Sequence, residues 1–399
     1  MSDLNDFRAE TRAWLAQNCP PGARGPGEIH TGSTKVKIQH PDTQLWMERM
    51  AERGWTVPMW PKAYGGAGLS LDEARILFAE MAAIEARPPL VNMGTRMLGP
   101  TLLEFGTEAQ KQRHLNTIAT GGAAWCQGYS EPGAGSDLAS LRTKAEDKGD
   151  HFVINGQKIW TSGAQNADWM FCLVRTDFDA PKHQGISFVL LPMDQDGITV
   201  RPISLLSGSS PFCETFLDNA IASKVDLIGE LNNGWTVAKK LLQHERSGQG
   251  GLGASAAKTR PVGVTVDLAL EEVALRYIGT DGQRIAEPAA RAQVIEWNMN
   301  NAAYGLTQKR VGEALQGGGT PGEATSIFKL YGSTLAREKQ EIQMQLMGTR
   351  GIGWTGAAFT DDELGTTRSW LASKAVTIYG GTNEVQSNII AKRVLGLPD

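Results

Sequence analysis

The hydrophobic pattern of the chain changes its period twice, and this limits the folds that the chain can adopt. From the N-terminus to about residue 122, apolar residues recur at the spacing of an amphipathic helix. From about residue 123 to 228 the period falls toward two, which is typical of strands, and helical spacing then resumes nearly to the end. A doubly wound sheet would alternate strands and helices throughout, so the pattern excludes that fold.

The order of these regions predicts an α+β multidomain protein. The 399 residues are enough for two or three domains with cores of their own. We predict an N-terminal helical domain over residues 1–122, a central β domain over residues 123–228 and a C-terminal helical domain over residues 229–399. Glycine-rich stretches at 317–321 and 348–356 are expected to interrupt the last helices.

Local signals refine this outline. Ser70-Leu71-Asp72-Glu73 matches a capping box in front of an apolar helical run. Asn155-Gly156 separates His151–Ile154 from Gln157–Trp160, and this dipeptide is preferred in type I′ turns, so we predict a β-hairpin there. Further strands are predicted from three β-rich runs, Trp169–Val174, Ile186–Leu191 and Ile198–Ile203.

Composition narrows the class of protein. The chain is 41% hydrophobic and 21% charged, which is ordinary for a globular protein. Its net charge is −4 and it has no long basic run, so nucleic acid is not an expected partner. It has no apolar stretch of about 18 residues, and its N-terminus lacks a basic start with an apolar core. We therefore predict a cytoplasmic protein without a membrane partner.

The cysteines predict neither a metal site nor disulfides. Cys19, Cys126, Cys172 and Cys213 are widely spaced, without a Cys-x-x-Cys pair or a Cys/His cluster at zinc spacing. Four reduced and mostly buried thiols are expected.

The segment from Trp125 to Asp137 is the most specific one in the chain. Its Gly133-Ala134-Gly135-Ser136 stretch leaves backbone N–H groups and a hydroxyl free to approach a phosphate or the edge of a flavin. Taken alone, a simple turn between two strands explains the segment equally well.

A second segment favours a flavin. Residues 154–164 bring an indole and two hydroxyls together at a strand end, in Trp160-Thr161-Ser162. A flat aromatic ring beside hydrogen-bond donors suits an isoalloxazine ring. The third segment, Tyr379–Gln386, is a glycine turn that leads into a helix.

These three segments, in this order, resemble the acyl-CoA dehydrogenases, and the resemblance covers nearly the whole chain. It implies an N-terminal helical domain, a central β barrel-like domain and a C-terminal four-helix bundle, with FAD between the last two. It also implies a tetramer, built as a dimer of dimers in which one subunit completes the FAD site of its neighbour. The electron acceptor that the resemblance implies is an electron-transferring flavoprotein.

Carried over by position, the resemblance gives cofactor contacts in both halves of the chain. Ser130 falls near the pyrimidine edge of the flavin, Ser162 near N5, and Ser136 near phosphate and substrate. Glu384 has an alternative role, since an acid in the first turn of a helix also stabilises that helix. The full set of implied cofactor contacts is Gln127, Ser130, Gly135, Ser136, Trp160, Ser162, Gln345, Gly348, Thr382 and Glu384.

The implied reaction is the α,β-dehydrogenation of an acyl-CoA thioester, which requires a carboxylate base on the α-proton. The medium-chain type carries this base at the second position of Tyr-Glu-Gly-Thr, where this chain has Gly380. The isovaleryl and long-chain types take it from an earlier helix, immediately before an arginine, and the matching residue is Glu245, followed by Arg246. Leu241 and Leu242 put Glu245 on the apolar face of its helix, where burial raises the pKa of a carboxyl group. A simple ion pair with a basic neighbour is the alternative role.

The residues after the proposed base suggest the substrate class. The resemblance makes Arg246 and Ser136 substrate contacts, although a salt bridge would also explain Arg246. A run of small side chains follows, which predicts room for a branched, cyclic or otherwise bulky acyl group: Ser247, Gly248, Gly250, Gly251, Gly253, Ala254, Ser255, Ala256 and Ala257.

One element of the family is missing. Most relatives carry Arg-x-x-Phe-Gly about eleven residues before a helical glutamine, and its arginine contacts the FAD of a neighbouring subunit. The corresponding stretch here, Gly279–Arg284, lacks both the arginine and the Phe-Gly, and Arg284 has no assigned role. The chain therefore resembles the catalytic member of a heterotetramer with a second dehydrogenase-like chain, and a homotetramer is the alternative.

Other functions remain possible from sequence alone. Residues 248–253 fit Gly-x-Gly-x-x-Gly, but they follow a helix rather than a strand, which disfavours nicotinamide binding. Acyl-CoA oxidases and flavin monooxygenases resemble the same scaffold, so either activity is an alternative. A companion subunit with the same fold but no catalytic activity is another alternative.

Overall fold

The computed structural model describes residues 2–250, 266–316 and 324–398. Side chains are described throughout these ranges except at residues 2, 243–250, 312, 314–316, 324 and 325. The chain divides into two compact units. The first comprises Met1–Ile203 and Phe212–Lys258, and the second comprises Ser204–Pro211 and Thr259–Asp399.

The first unit begins with helices, as the periodicity predicts. The capping box is confirmed, because the Ser70 hydroxyl accepts from the Glu73 N–H while the Glu73 carboxylate accepts from the Ser70 N–H. The α-helices of this unit are α1 (Ser2–Asn18), α2 (Pro41–Glu52), α3 (Leu71–Ala83), α4 (Gly99–Phe105), α5 (Glu108–Ala119) and α6 (Gly234–Gly250).

A mixed sheet follows α5. Its strands lie in the order β6-β7-β3-β2-β4-β5-β8, and β1 pairs with β4 in parallel. The three predicted runs are confirmed as β4, β5 and β6. The strands are β1 (Trp125–Gly128), β2 (Lys144–Asp147), β3 (His151–Ile159), β4 (Trp169–Arg175), β5 (Ile186–Pro192), β6 (Ile198–Ile203), β7 (Phe212–Ser223) and β8 (Leu227–Ile228).

The hairpin prediction at Asn155-Gly156 is wrong. Strand β3 runs without a turn through these residues and has a β-bulge between Ile154 and Gly156. The Asn155 side-chain amide oxygen (Oδ1) accepts from the Asn219 N–H on β7 at 2.9 Å, so the side chain that would cap a turn instead links two strands. A Cβ at residue 156 would stand 2.7 Å from the Thr143 Cα, so close packing, and not a turn, requires glycine here.

The sheet is buried on both faces at its centre. Phe171 and Leu173 of β4 pack with the helices and with Leu241 of α6, whereas Met170 and Cys172 pack on the other face with β3 and β7 residues. Side chains alternate between faces along a strand, so two buried faces produce the continuous apolar run seen in the sequence. All four cysteines are free and buried, as predicted.

The second unit is mainly helical. Helix α9 packs against α7, α8, α10 and α11, and its Ile342 and Leu346 join Val273 and Val294 in one core. The predicted interruption at 348–356 is confirmed as a 3₁₀ turn over Gly348–Ile352, and the one at 317–321 lies outside the described residues. The helices are α7 (Leu270–Tyr277), α8 (Pro288–Gln316), α9 (Ala324–Met347), α10 (Asp361–Ser373) and α11 (Asn383–Ile389).

A short antiparallel ribbon, which we did not predict, follows α7. Strands β9 (Thr280–Asp281) and β10 (Arg284–Ile285) pair around Gly282, which has a φ of 62°. Asp-Gly is a frequent hairpin dipeptide, so the signal was present in the sequence. Within the described ranges, none of the helices has both the length and the apolar character needed to cross a membrane.

Candidate flavin and substrate site

The first candidate segment leaves the sheet as β1 and then turns. Gln127 on β1 is half-buried. Glu131 and Ala134 exchange two backbone hydrogen bonds of 3.1 and 3.0 Å, which close a tight turn. Gly135 and Ser136 follow this turn and are exposed, and a Cβ at residue 135 would meet no atom within 4 Å. The turn therefore leaves open space beside its backbone.

Trp160, in the second segment, directly follows the end of β3 and has an unusual backbone conformation. Its φ is 60°, in the left-handed region, which a bulky residue rarely adopts. The indole is 51% exposed and meets the Phe212 ring edge-on at 6.0 Å. The next residue, Thr161, is buried and bonds through its N–H and hydroxyl to the Cys213 carbonyl. Strain of this kind concentrates at functional sites, which favours a binding role for the indole.

Ser162 and Gly163 follow Trp160 and Thr161 in the second segment. Ser162 is half-buried. Gly163 has a φ of 68°, and a Cβ there would meet no atom within 4 Å. This second segment, like the first, leaves room for a large group.

The structure brings the two segments together. The Ile159 N–H donates to the Ser130 carbonyl at 2.8 Å. The Lys158 ammonium donates to the Tyr129 carbonyl at 3.2 Å and to the Glu131 carboxylate at 2.8 Å. Ser130 and Trp160 therefore lie on adjacent stretches of backbone.

Lys158 and Glu131 were missed in the sequence analysis. Lys158 is fully buried and lies on the inward side of β3 with Phe152 and Ile154. Side chains alternate between inward and outward positions along β3, so the sequence could have placed Lys158 inward. A lysine at an inward position needs a buried partner. The position of that partner, on a turn far earlier in the sequence, was not visible.

Glu131 is held in its ionised form. Burial raises the pKa of its carboxyl group, but the Lys158 ammonium and the N–H groups of Thr143 and Arg142 outweigh burial and hold that pKa below its usual range. The carboxylate thus accepts from three donors at 2.7–2.9 Å.

The candidate base lies on α6. This helix runs through residues 245 and 246, and the side chains of Glu245 and Arg246 lie outside the described residues. One helical turn before residue 245, Leu241 is fully buried, and Leu242 packs against the same core. Of the small residues that follow, those from 251 to 257 are outside the described residues.

In the second unit, Gln345 and Gly348 lie at the end of α9. Gln345 is exposed and accepts a hydrogen bond from the Gln293 side chain at 2.7 Å. Gly348 has a φ of 55° and begins the 3₁₀ turn. Arg350 in this turn makes two bonds of 2.8 Å to Glu363 of α10, so the turn is anchored to the helix that follows.

Thr382 and Glu384 both stabilise the start of α11. The Thr382 hydroxyl accepts from the Val385 N–H at 3.2 Å. The Glu384 carboxyl is exposed, and its own N–H and the Thr382 hydroxyl hold its pKa below the usual range. The capping role that the sequence allowed for Glu384 is thus present, and a cofactor contact by either residue stays a prediction.

Gly380 leaves the alternative base position without a side chain. Its φ is 66°, and a Cβ there would stand 3.4 Å from the Lys329 Cε. Lys329 donates to the Val376 carbonyl and lies 5.3 Å from the centre of the Tyr379 ring. Burial lowers the pKa of Lys329. Among the described residues, the atom that such a Cβ would meet within 4 Å therefore belongs to a lysine, and Gly380 itself offers no carboxylate.

Arg284 remains unassigned. It is exposed on β10, opposite Asp281 in the ribbon.

The residues of the first unit fit a flavin. An exposed indole offers a flat surface for ring stacking. The open space at Gly133, Gly135 and Gly163 lets a bulky group approach the backbone. Ser130, Ser136 and Ser162 place hydroxyls along the same two segments.

Family models cover most of the chain. Residues 2–122 match the N-terminal domain of acyl-CoA dehydrogenases, residues 126–220 the middle domain, and residues 232–395 the C-terminal domain.

Individual relatives agree with these matches. Acyl-CoA dehydrogenase IpdE1 of Mycobacterium tuberculosis is 38% identical, over 100% of this chain and 99% of the relative. A solved structure titled "Tcur3481-Tcur3483 steroid ACAD" superposes with a TM-score of 0.74 at 30% identity, over 100% of this chain and 98% of that chain. The ChsE4-ChsE5 complex from Mycobacterium tuberculosis gives a TM-score of 0.73 at 28% identity, with coverage of 100% and 98%.

Proposed function

Because this chain belongs to the acyl-CoA dehydrogenase family, and is thus a FAD-dependent oxidoreductase of acyl-CoA thioesters, we propose that Glu245 is its catalytic base. The product is the trans-2-enoyl thioester. The observation that carries this assignment is a comparison of the two positions, 380 and 245, at which the family places its base. Gly380 has no carboxylate and lies beside Lys329, whereas helix α6 continues through residue 245.

The helical repeat supports Glu245 further. Residue 245 follows the fully buried Leu241 by one turn, and residues four apart share a helix face. A carboxylate on an apolar face is partly desolvated, which raises its pKa toward the range of a useful general base. The Glu245 carboxylate takes the α-proton as the carbon–carbon double bond forms.

FAD supplies the acceptor for the hydride that leaves the β carbon. The first-unit residues that would contact the flavin are Gln127, Ser130, Gly135, Ser136, Trp160 and Ser162. Gln345 and Gly348 would contact the adenosine part of the FAD of a neighbouring subunit, and Thr382 and Glu384 are further proposed FAD contacts. Trp160 provides a face for the ring, while Ser130 and Ser162 provide hydrogen bonds at its edge.

The substrate carries a bulky, cyclic acyl group. Ser136 and Arg246 contact the thioester, and the small residues from 247 to 257 leave room beside the base. The solved relative titled as a steroid ACAD supports a ring-bearing substrate for this chain as well.

The working enzyme is a heterotetramer with a second dehydrogenase-like chain, and an electron-transferring flavoprotein accepts its electrons. Both solved relatives described above are named as pairs of different chains. The three-domain division at residues 122 and 228 belongs to the same proposal, and it agrees in order with the three family models.

Anaerobic bleaching of the flavin tests the base. The Glu245→Gln variant should keep its FAD but bleach about a hundred- to ten-thousand-fold more slowly with an acyl-CoA thioester that bleaches the wild type. Glu52→Gln, an exposed residue at the end of α2 in the same unit, is the control and should bleach normally. Normal bleaching of the Glu245→Gln protein would show that the base lies elsewhere.

The same experiment reports the substrate. A panel of thioesters with straight, branched and ring-bearing acyl groups should show the fastest bleaching with a ring-bearing group. A clear preference for short straight chains would contradict the bulky-substrate assignment.

A further inference from the structure

A buried ion pair lies between the two flavin segments of the first unit. Lys158 is fully buried and Glu131 is 9% exposed, and their charged atoms are 2.8 Å apart. The dehydrogenation step uses neither residue. We propose that Lys158 and Glu131 are positioning residues that fix the spacing of Ser130 and Trp160 for the flavin. This inference rests on the flavin contacts proposed above.

The contacts of Lys158 surround Ser130. The two groups that accept from its ammonium belong to Tyr129 and Glu131, the residues on either side of Ser130. The Ile159 N–H adds a third bond, to the Ser130 carbonyl itself at 2.8 Å. Two successive residues of β3 thus hold Tyr129, Ser130 and Glu131, the three residues that lead from β1 into the turn.

Glu131 extends this contact to β2. Its carboxylate also accepts from the N–H groups of Arg142 and Thr143, at 2.7 and 2.9 Å, just before β2 begins. Three donors fix the carboxylate in place, so the lysine cannot shift without breaking charge-assisted bonds. The turn, the end of β3 and the start of β2 are therefore joined at one carboxylate.

Stability alone does not explain a pair at this place. Buried ion pairs often contribute no more to stability than well-packed apolar residues of similar volume, because both charges lose their hydration. Apolar residues would fill the space, but they would not fix the direction of the backbone carbonyls beside them. Directional bonds matter here, because flavin contacts require side chains at set distances.

The fixed spacing of the two segments also bears on the direction in which the Trp160 indole points. Residues two apart on a strand share a face, so a regular strand would point Trp160 inward with Lys158. The left-handed φ of Trp160 turns the indole outward, where half of it is exposed. Lys158 anchors the last inward position before this reversal.

FAD affinity and protein stability, measured separately, test the proposal. The double variant Lys158→Met/Glu131→Gln removes both charges and leaves no isolated charge buried. We expect its FAD dissociation constant to rise about 10- to 100-fold, the range found for outer-shell partners of metal ligands. The visible circular dichroism of the bound flavin should also change. Both readouts are taken without substrate, so they do not depend on the role of Glu245.

The matched control is Glu80→Gln, which alters another buried carboxylate of the first unit. Glu80 is 4% exposed and pairs with Arg8 and Arg12 at 2.8 Å, between helices α3 and α1, which contain no residue of the flavin segments. It should lower the unfolding temperature without changing FAD affinity. An unchanged dissociation constant and dichroism in the double variant would overturn the proposal, and so would an equal loss of affinity in the control.

A gentler variant covers the case in which the double variant does not fold. Glu131→Asp keeps the charge but withdraws it by one methylene group. It should weaken FAD binding severalfold while the unfolding temperature of the FAD-free protein stays close to that of the wild type. Unchanged affinity would again overturn the proposal. All proteins are prepared with any companion chain that co-purifies.

Discussion

Trp160 combines a strained backbone with an exposed ring. A left-handed conformation costs a residue with a bulky side chain about 1–2 kcal/mol. The indole recovers part of this through its edge contact with Phe212, and aromatic pairs contribute about 0.5–1.5 kcal/mol. The remaining strain persists in a folded chain when the ring serves a ligand.

Replacing Trp160 with asparagine separates these effects. Asparagine tolerates the left-handed region, so Trp160→Asn should change the free energy of unfolding by no more than about 1 kcal/mol. FAD affinity should nevertheless fall, because the stacking surface is gone. Fluorescence titration of FAD and thermal unfolding measure the two quantities. A large loss of stability with unchanged FAD affinity would make the indole a structural residue.

Glu363 should make the second unit sensitive to acid. The Arg350 guanidinium, the Thr360 N–H and the Tyr277 hydroxyl lower the pKa of Glu363 to about 2, against the opposing effect of burial. Its pKa in the unfolded chain is near 4.5, so the folded state gains stability above that pH and loses it as the pH falls toward 2.

Thermal unfolding as a function of pH measures this contribution. The difference in unfolding temperature between the wild type and Glu363→Gln should be largest above pH 4.5 and should shrink as the pH falls toward 2. Other carboxylates titrate in the same window, so the comparison between the two proteins, rather than either curve alone, carries the result. A difference that does not depend on pH would show that the carboxylate is not paired as described.

At the scale of secondary structure, the sequence predicted correctly those features that depend only on neighbouring residues. The capping box at Ser70 and Glu73 needs only four neighbouring residues, and it is present. Asn155-Gly156 failed because a turn and a bulge both suit this dipeptide, and the long pairing of β3 with β7 decides between them. The Lys158–Glu131 pair was missed for the same reason, since only the folded chain brings strand β3 and the turn after β1 together.

The bulge predicts the effect of a small change. In Gly156→Ala the added methyl would stand 2.7 Å from the Thr143 Cα, so backbone must move. Overpacking of this kind costs about 1–3 kcal/mol of unfolding free energy. Gly305→Ala is the contrasting variant, because its site on α8 is open and alanine favours a helix by roughly 1 kcal/mol. Chemical denaturation should show opposite signs, and equal signs would contradict the packing described at β3.

At the scale of the whole molecule, helix α8 carries an apolar stripe. Ile295, Met299 and Leu306 are 51%, 67% and 68% exposed, and their spacing places them near one side of the helix. Exposed apolar surface of this kind is typical of a protein interface. The stripe therefore agrees with the proposed assembly, and the sequence pattern alone did not reveal it.

Co-expression with a second dehydrogenase-like chain tests the assembly. We expect a complex that contains both chains and binds FAD more tightly than this chain alone. Met299→Arg should weaken the complex, because a charge would be buried at the contact. Light scattering and flavin content measure both effects. A stable homotetramer of this chain with full flavin content would contradict the paired assembly.

The buried sulfurs of the central sheet have a practical consequence. Cys126, Cys172 and Cys213 are fully buried, and burial raises the pKa of Cys172 to about 11. Alkylating reagents attack thiolates, so these sulfurs should react only when the strands around them separate. Their rate of alkylation thus reports how often the central sheet, from which both flavin segments extend, opens. The native cysteines allow this measurement without an added probe.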